Sequence, residues 1–173
     1  MREIVIDTET TGLSHKTGDR IIEVGCVELI NHVATSKSLQ FYCKVDKEIS
    51  ESAQKITGIT NGFLRDKKSF AEHCDALLEF IGNDPLIIHN ADFDIGFLNN
   101  ELSLIGRPSL KNPVVDTVSL ARSTLNTRVA NLDYLCRRFK VDLSERDLHG
   151  ALLDSQLLAE VYLELKGGKQ FTM

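Results

Sequence analysis

Carboxylates at three places along the chain could do chemistry together. The first pair lies in "VIDTETTG" (5–12), where the apolar run Ile4-Val5-Ile6 ends in Asp7 and Glu9 follows two residues later. In an extended chain, side chains two apart point the same way, with Cα atoms about 6.5–7 Å apart. That spacing suits two carboxylates converging on a cation. The plainer alternative is a turn or helix cap, because "DTETTG" is rich in capping residues. A carboxylate at the mouth of a buried strand is costly unless something positive pairs with it.

Two helical segments add an aspartate each. In "GALLDSQLLAEVYLEL" (150–165) the apolar stripe runs Leu153, Leu157, Leu158, Val161, Leu165, and Asp154 lies on or beside it. In "DFDIGFLNNELSLIG" (92–106), Asp94 stands in the same relation to Phe97 and Leu98. The economical reading is four acids gathered around cations. Oxygen-only ligands point to Mg²⁺ or Mn²⁺ rather than zinc. Two such ions would suit an in-line phosphoryl displacement.

His149 precedes Asp154 by five residues, a rotation of about 140° on a helix, so the two cannot share one helix face. With Gly150 next, His149 is expected just before the helix, on a loop that can reach the site and take a proton from water. An exposed loop histidine is the alternative. His89 closes a short apolar strand and is expected to border the same site. His15, His32 and His73 lack such a context.

These residues need a scaffold. Residues 3–7, 20–31 and 38–45 read as a three-strand meander, with "NHVATSKS" (31–38) as the turn before the third strand. Residues 50–56 predict a short serine-capped helix. Residues 69–82 predict a stronger one, with Ser69 and Glu72 as a capping box and Gly82 as its end. Strands at 85–89 and 113–117 then alternate with helices at 92–106, near "TVSLARSTL", at 130–139 and at 150–165. Strands first, then strand–helix alternation, predicts an α/β fold with a mixed central sheet flanked by helices.

The chain has 173 residues, 42% hydrophobic and 26% charged, which suits one domain with a real core. No apolar run approaches a membrane span, and "MREIVID" lacks the apolar core of a signal peptide, so a cytoplasmic location is expected. Cys26, Cys43, Cys74 and Cys136 are widely spaced, without a C-x-x-C pair, and read as reduced buried residues. The net charge of −5 argues against a nucleic-acid partner unless the acids hold cations that face the phosphates. The absence of G-x-G-x-x-G or a P-loop weakens a small-molecule phosphate-binding reading.

"VIDTETTG", "HNADFDIGFL" (89–98) and "HGALLDSQLLAEVYL" (149–163), in that order, resemble the three motifs of the DEDDh 3′→5′ exonucleases. The likeness covers essentially the whole chain and is greatest to the proofreading members that serve bacterial replicative polymerases. It implies a ribonuclease H-like fold and two-metal hydrolysis of a DNA 3′ end, with Mg²⁺ or Mn²⁺ on Asp7, Glu9, Asp94 and Asp154 and His149 as general base. Within "ADFD" the pattern F-D-x-x-F selects Asp94, which leaves Asp92 as an expected N-cap. Asp116 matches a family aspartate taken as supporting structure. Substrate contacts are implied for Thr8, Glu9, Thr10, Ser52, Thr57, Asn90 and His149. Ser52 and Thr57 stand where these relatives often carry a glutamate and a histidine, one ionisable group and one ring fewer beside the terminal nucleotide.

The resemblance divides the chain into an exonuclease domain (1–167) and the start of a tail (168–173). In "GGKQFTM", Gln170, Phe171, Thr172 and Met173 resemble the first part of a sliding-clamp peptide. The family's further tail, which binds the polymerase catalytic subunit, is expected to be missing. A DEDDh nuclease trimming RNA or short oligonucleotides and a non-catalytic polymerase accessory module are the competing readings. The presence of all five catalytic positions argues against the second.

Overall fold

A computed structural model of the chain describes residues 1–167. Gln170, Phe171, Thr172 and Met173 lie outside the described residues. The sheet has the strand order β3-β2-β1-β4-β5. Its strands are β1 (Arg2–Thr10), β2 (Ile21–Ile30), β3 (Val33–Tyr42), β4 (Leu86–Ile88) and β5 (Val114–Asp116). β1, β2 and β3 form the antiparallel meander, while β4 and β5 run parallel to β1. The mixed sheet expected from the sequence is therefore present.

Alternation along β1 sorts its side chains into two cores. Ile4 and Ile6 pack with α3 (Phe70–Ile81) and α4 (Ala91–Leu104), whereas Val5 packs with α5 (Thr117–Leu125), α6 (Leu132–Arg138) and α7 (Ala151–Leu165). The period of two then places Asp7 and Glu9 on the α7 side and Thr8 on the α4 side. Helices on both faces of β1 make a three-layer molecule, and the site forms where β1 leaves the sandwich.

Three local expectations need correction. β3 starts at Val33, not at 38, because Asn31 and His32 alone make the turn, both with positive φ (50° and 70°). Two such residues give the primed hairpin turn that matches strand twist. Residues 33–38 hid their strand character because this edge strand is mostly exposed and carries no apolar alternation. β3 also ends at Tyr42, although the Cys43 N–H still donates to the Ile22 carbonyl at 2.8 Å. After α1 (Glu51–Thr57), a second short helix, α2 (Asn61–Leu64), is capped by Thr60 and was not anticipated. Finally, Asp92 does not cap α4. Asn90 takes that position in the left-handed region, with φ 66° and ψ 61°, and Asp92 is exposed in the first turn. The predicted caps Ser50 and Ser69 do accept bonds from Ala53 N–H and Glu72 N–H.

Among the described residues no helix is long and apolar enough to cross a membrane. All four cysteines are buried and free.

Candidate active site

β1 carries Asp7 and Glu9 past the end of the core, where Asp7 faces Gly25 of β2 and Glu9 faces Glu23. Gly25 decides how closely α7 can approach this strand. A Cβ there would lie 2.4 Å from the Ala151 and Leu152 backbone, so only glycine lets the first turn of α7 rest directly on β2. Ser155 Oγ then donates to the Gly25 carbonyl at 2.9 Å. The N-cap of α7, Gly150, has no side chain, and Glu23 supplies the missing acceptor by taking the Ala151 N–H at 3.0 Å. β2 thus seats the helix that carries Asp154.

Asp94 comes from the first turn of α4 and is 3% exposed. Its Oδ1 accepts from Thr8 Oγ1 at 2.6 Å and from Thr8 N–H at 3.2 Å. Asp154 is 5% exposed in the first turn of α7. His149 lies before that helix, as expected, and its N–H donates to the Ile56 carbonyl of α1 at 2.8 Å. Ligand atoms of Glu9, His149 and Asp154 all lie within 4.8 Å of one another.

The electrostatics are those of an acidic cluster short of cations. Asp7 is held well above the ordinary carboxylate range, first by desolvation and then by the charges of Asp94, Glu9, Asp154 and Glu23. Glu9 is pushed up to about 8, by desolvation and then by Asp154, Glu23 and Asp94, against the opposing charge of Arg146. Asp94 is pushed up to about 7 by desolvation, opposed by its two bonds from Thr8. Asp7 Oδ2 is buried without a hydrogen-bond partner among the described residues. Such an orphaned oxygen among like charges is what a cation ligand looks like. Desolvation and the Arg146 charge lower the pKa of His149, which favours the neutral imidazole that can accept a proton.

A cavity of about 200 Å³ opens beside the carboxylates. Thr8, Glu9, Thr10, Ser52, Thr57 and His149 line it together with Leu13, Ile56 and Phe93, which add apolar walls. Several hydroxyls there are already engaged. Thr8 holds Asp94, Thr10 Oγ1 donates to the Gly12 carbonyl at 2.7 Å, and Thr57 Oγ1 donates to the Ala53 carbonyl at 2.9 Å. Ser52 is exposed, with its Oγ 3.3 Å from that of Ser50. Asn90 is not among the residues lining this cavity; its N–H donates to Asp116 Oδ1, which also caps α5 by accepting from Val118 N–H. Asp116 is the support it was expected to be. His89 lies outside the lining too, and its Nδ1 is 2.8 Å from Thr117 Oγ1.

Sequence reasoning missed Arg146, Glu23 and Gly25. Glu23 did leave a signal, a charge inside the otherwise apolar "IIEVGCV". Arg146 left none, because it sits in a loop without periodicity. Its guanidinium donates to Asp154 Oδ1 from Nε at 2.7 Å and to Oδ2 from Nη2 at 3.1 Å, and it also pairs with Asp133 of α6.

Comparison with known proteins agrees with this geometry. Residues 4–162 match the family model described as Exonuclease. DNA polymerase III subunit epsilon of Rickettsia felis is 50% identical over 174 residues, covering 98% of this chain and 76% of that protein. The subunit of the same name in Escherichia coli K12 is 44% identical over 176 residues, covering 97% and 72%. Two solved structures share the fold. Exonuclease X in complex with 5′ overhanging duplex DNA has a TM-score of 0.75 at 24% identity, covering 95% of this chain and 91% of that one. The zinc-bound exonuclease I–ssDNA complex of E. coli has a TM-score of 0.80 at 18% identity, covering 94% and 40%. A five-stranded mixed sheet that converges four acids and a histidine, matched along nearly its whole length to epsilon subunits, places this chain in the exonuclease family.

Proposed function

We propose that this protein removes nucleotides from the 3′ end of DNA as the proofreading partner of a replicative polymerase. The observation that carries the reading is that Asp7 feels the charges of Glu9, Asp94 and Asp154, that ligand atoms of Glu9, Asp154 and His149 lie within 4.8 Å of one another, and that Asp7 Oδ2 is buried without a partner among the described residues. These donors fit divalent cations. All are carboxylate oxygens, and their mutual repulsion is relieved by positive charge. Family membership implies dependence on divalent metal, and we assign two ions, Mg²⁺ or Mn²⁺, to the four carboxylates. When bound, they supply Lewis-acid polarisation of the scissile phosphodiester and neutralise its developing charge.

The chain's own residues do the rest. The neutral imidazole of His149 accepts a proton from the attacking water. Its loop is pinned through the Ile56 carbonyl, which keeps the ring at the carboxylates. Leu13 is 86% exposed at the mouth of the cavity and, with Ile56 and Phe93, offers apolar contact to the terminal nucleotide. Thr57 spends its hydroxyl on the backbone, so Ser52 is the polar contact left at the two substituted positions. Cations bound to the acids would also explain how a chain of net charge −5 receives a polyanion.

The relatives named as polymerase III subunits support association with a polymerase catalytic subunit, and hence work at the cytoplasmic bacterial replisome. Gln170–Met173 are assigned to sliding-clamp contact by their resemblance to a clamp peptide. The division into domain (1–167) and tail start (168–173) follows the same reading.

The test is degradation of a 3′-mismatched primer with Mg²⁺ beside a matched primer, a single strand and an RNA of the same sequence. Unpairing a terminus costs a few kcal/mol, and least at a mismatch. Mismatched ends and single strands should therefore be cut faster than matched duplex. Equal rates on matched and mismatched ends, or preference for RNA, would replace proofreading by trimming. An Asp7→Ala protein that remained active would end the metal assignment.

A further inference from the structure

We propose that Arg146 is the resident counter-cation of the site: it neutralises Asp154 in the metal-free protein, and metal loading is an exchange in which the ion displaces it as the partner of Asp154. The inference rests on the reading of Asp154 as a metal ligand.

The four carboxylates are not served alike. Asp7 Oδ2 has no partner among the described residues, and Asp94 has two bonds from Thr8, both on one oxygen. Among the described residues, only Asp154 of the four has a full positive charge bonded to it, and that charge takes both oxygens, Oδ1 at 2.7 Å and Oδ2 at 3.1 Å. The Arg146 side chain is 8% exposed and the Asp154 side chain 7%. A guanidinium stays protonated in proteins, and this one has carboxylates on two sides, Asp154 and Asp133. Arg146 is therefore charged and in place.

A fork that occupies both oxygens of a ligand competes with any ion seeking them. Two like charges within a few ångströms also repel strongly in a partly desolvated site. Arg146 thus weakens metal binding, while its charge limits repulsion among the acids when the ion is away. The side chain does not lose all support on release. Asp133, with a side chain 42% exposed on α6, holds Nη1 independently of Asp154 and gives the guanidinium a resting partner. Arg146 touches no reacting atom in this account, and its effect runs through Asp154.

The experiment is an unfolding series of the full chain in chelator and across a Mg²⁺ titration, for the wild type, Arg146→Gln and Arg146→Lys. A rise in wild-type melting temperature with Mg²⁺ tests the metal reading by itself, so its failure is separable from that of the exchange. With that rise present, Arg146→Gln should lower the metal-free melting temperature more than the Mg²⁺-saturated one. Its Mg²⁺ midpoint should fall on the order of tenfold, since a repelling charge has gone. Arg146→Lys keeps the charge but loses the fork that covers both Asp154 oxygens, so its midpoint should fall between those of the wild type and Arg146→Gln. A purely structural arginine would lower both melting temperatures equally and leave the midpoint unmoved, which would overturn the exchange. So would a midpoint raised in Arg146→Gln, or a lysine variant displaced as far as the glutamine one. A second readout covers a glutamine variant that does not fold. The Nε–H proton resonance of Arg146 in the wild type, identified by its loss in Arg146→Lys, should shift and exchange faster with water as Mg²⁺ is added. A resonance indifferent to Mg²⁺ would overturn the proposal.

Discussion

Helix α4 carries two buried carboxylates seven residues apart, and they have opposite lives. Glu101, 1% exposed, accepts from Arg20 Nε at 2.8 Å, from Arg20 Nη2 at 2.7 Å and from the Ile21 N–H at 3.0 Å. Asp94, 3% exposed, has one hydroxyl and one amide on a single oxygen and stands among other acids. The same helix buries both, so burial alone does not separate a structural carboxylate from a functional one. The cation does. Glu101 has its own in the chain and ties α4 to the start of β2. Asp94 has none among the described residues, and its pKa is pushed up to about 7 by desolvation. On this helix the carboxylate with a bidentate arginine is structural and the one without is open to a ligand; Asp154 of α7 differs from Glu101 in that its arginine has a second carboxylate, Asp133, to fall back on.

The largest effect expected from this contrast is on turnover. Asp94→Asn keeps the shape and the Thr8 bonds but removes the charge of a proposed metal ligand. Lewis-acid stabilisation is worth several kcal/mol, so turnover on a single-stranded substrate should fall by on the order of 10³-fold or more. The metal-free protein should melt no lower than wild type, because a repelling charge has been removed. A variant that kept wild-type turnover would erase the distinction between the two carboxylates. His149→Ala should be next, losing on the order of 10²-fold or more as the proposed general base is removed, while Mg²⁺ still raises the melting temperature. Near wild-type turnover in that variant would mean that His149 is not the base.

Glu101→Gln should do the reverse of Asp94→Asn. Removing one partner of a buried ion pair costs about 3–5 kcal/mol, and the lower end applies here because the Arg20 side chain is 32% exposed. For a chain of this size that corresponds to roughly 6–12 °C. The specific activity of the folded fraction at low temperature and the size of the Mg²⁺ response should both hold. Loss of the Mg²⁺ response in Glu101→Gln would show that the arginine-paired carboxylate also serves the site.

The same contrast explains what could be read from sequence. Asp94 and Asp154 were legible because a charge on an apolar helical stripe is an anomaly that periodicity exposes, and Asp7 with Glu9 because strand alternation sends both to one side. Glu101 lies seven residues after Asp94 and carries the same anomaly, but nothing local reveals its partner, since Arg20 is 81 residues away. The layered fold followed from the order of strands and helices. The start of β3 did not, because an exposed edge strand needs no apolar pattern. Arg146 and Gly25 act only through neighbours brought close by folding, so residue type and spacing carried no trace of either role. The unanticipated α2 spans only four residues, too few to develop a period.

The smallest expected effect, and the most direct probe of the unpaired acids, is the pH dependence of stability without metal. Glu9 rises from an ordinary 4.5 to about 8 and Asp94 from 3.8 to about 7. A group whose pKa is raised on folding binds more protons in the folded state between its two values. Its contribution to stability is complete below the unfolded value and is lost as pH rises through the folded one. Below about pH 6.5 the signal is mixed, since desolvation lowers His89 and His149, and their contributions grow with pH in that range. From pH 7 to 8.5 the histidines are largely neutral in both states, and the slope comes from the carboxylates together with the four buried cysteines, whose thiols burial also pushes up. Over that interval the metal-free melting temperature should fall by a few degrees, at roughly 2–4 °C per kcal/mol. Saturating Mg²⁺ should flatten the slope, because bound cations favour the ionised acids. Asp94→Asn should reduce it, and Glu101→Gln should leave it unchanged even though that variant melts lower at every pH. A metal-free melting temperature constant or rising from pH 7 to 8.5 would mean that the acids are ionised without penalty, and the cluster would then have a positive partner besides Arg146 and metal.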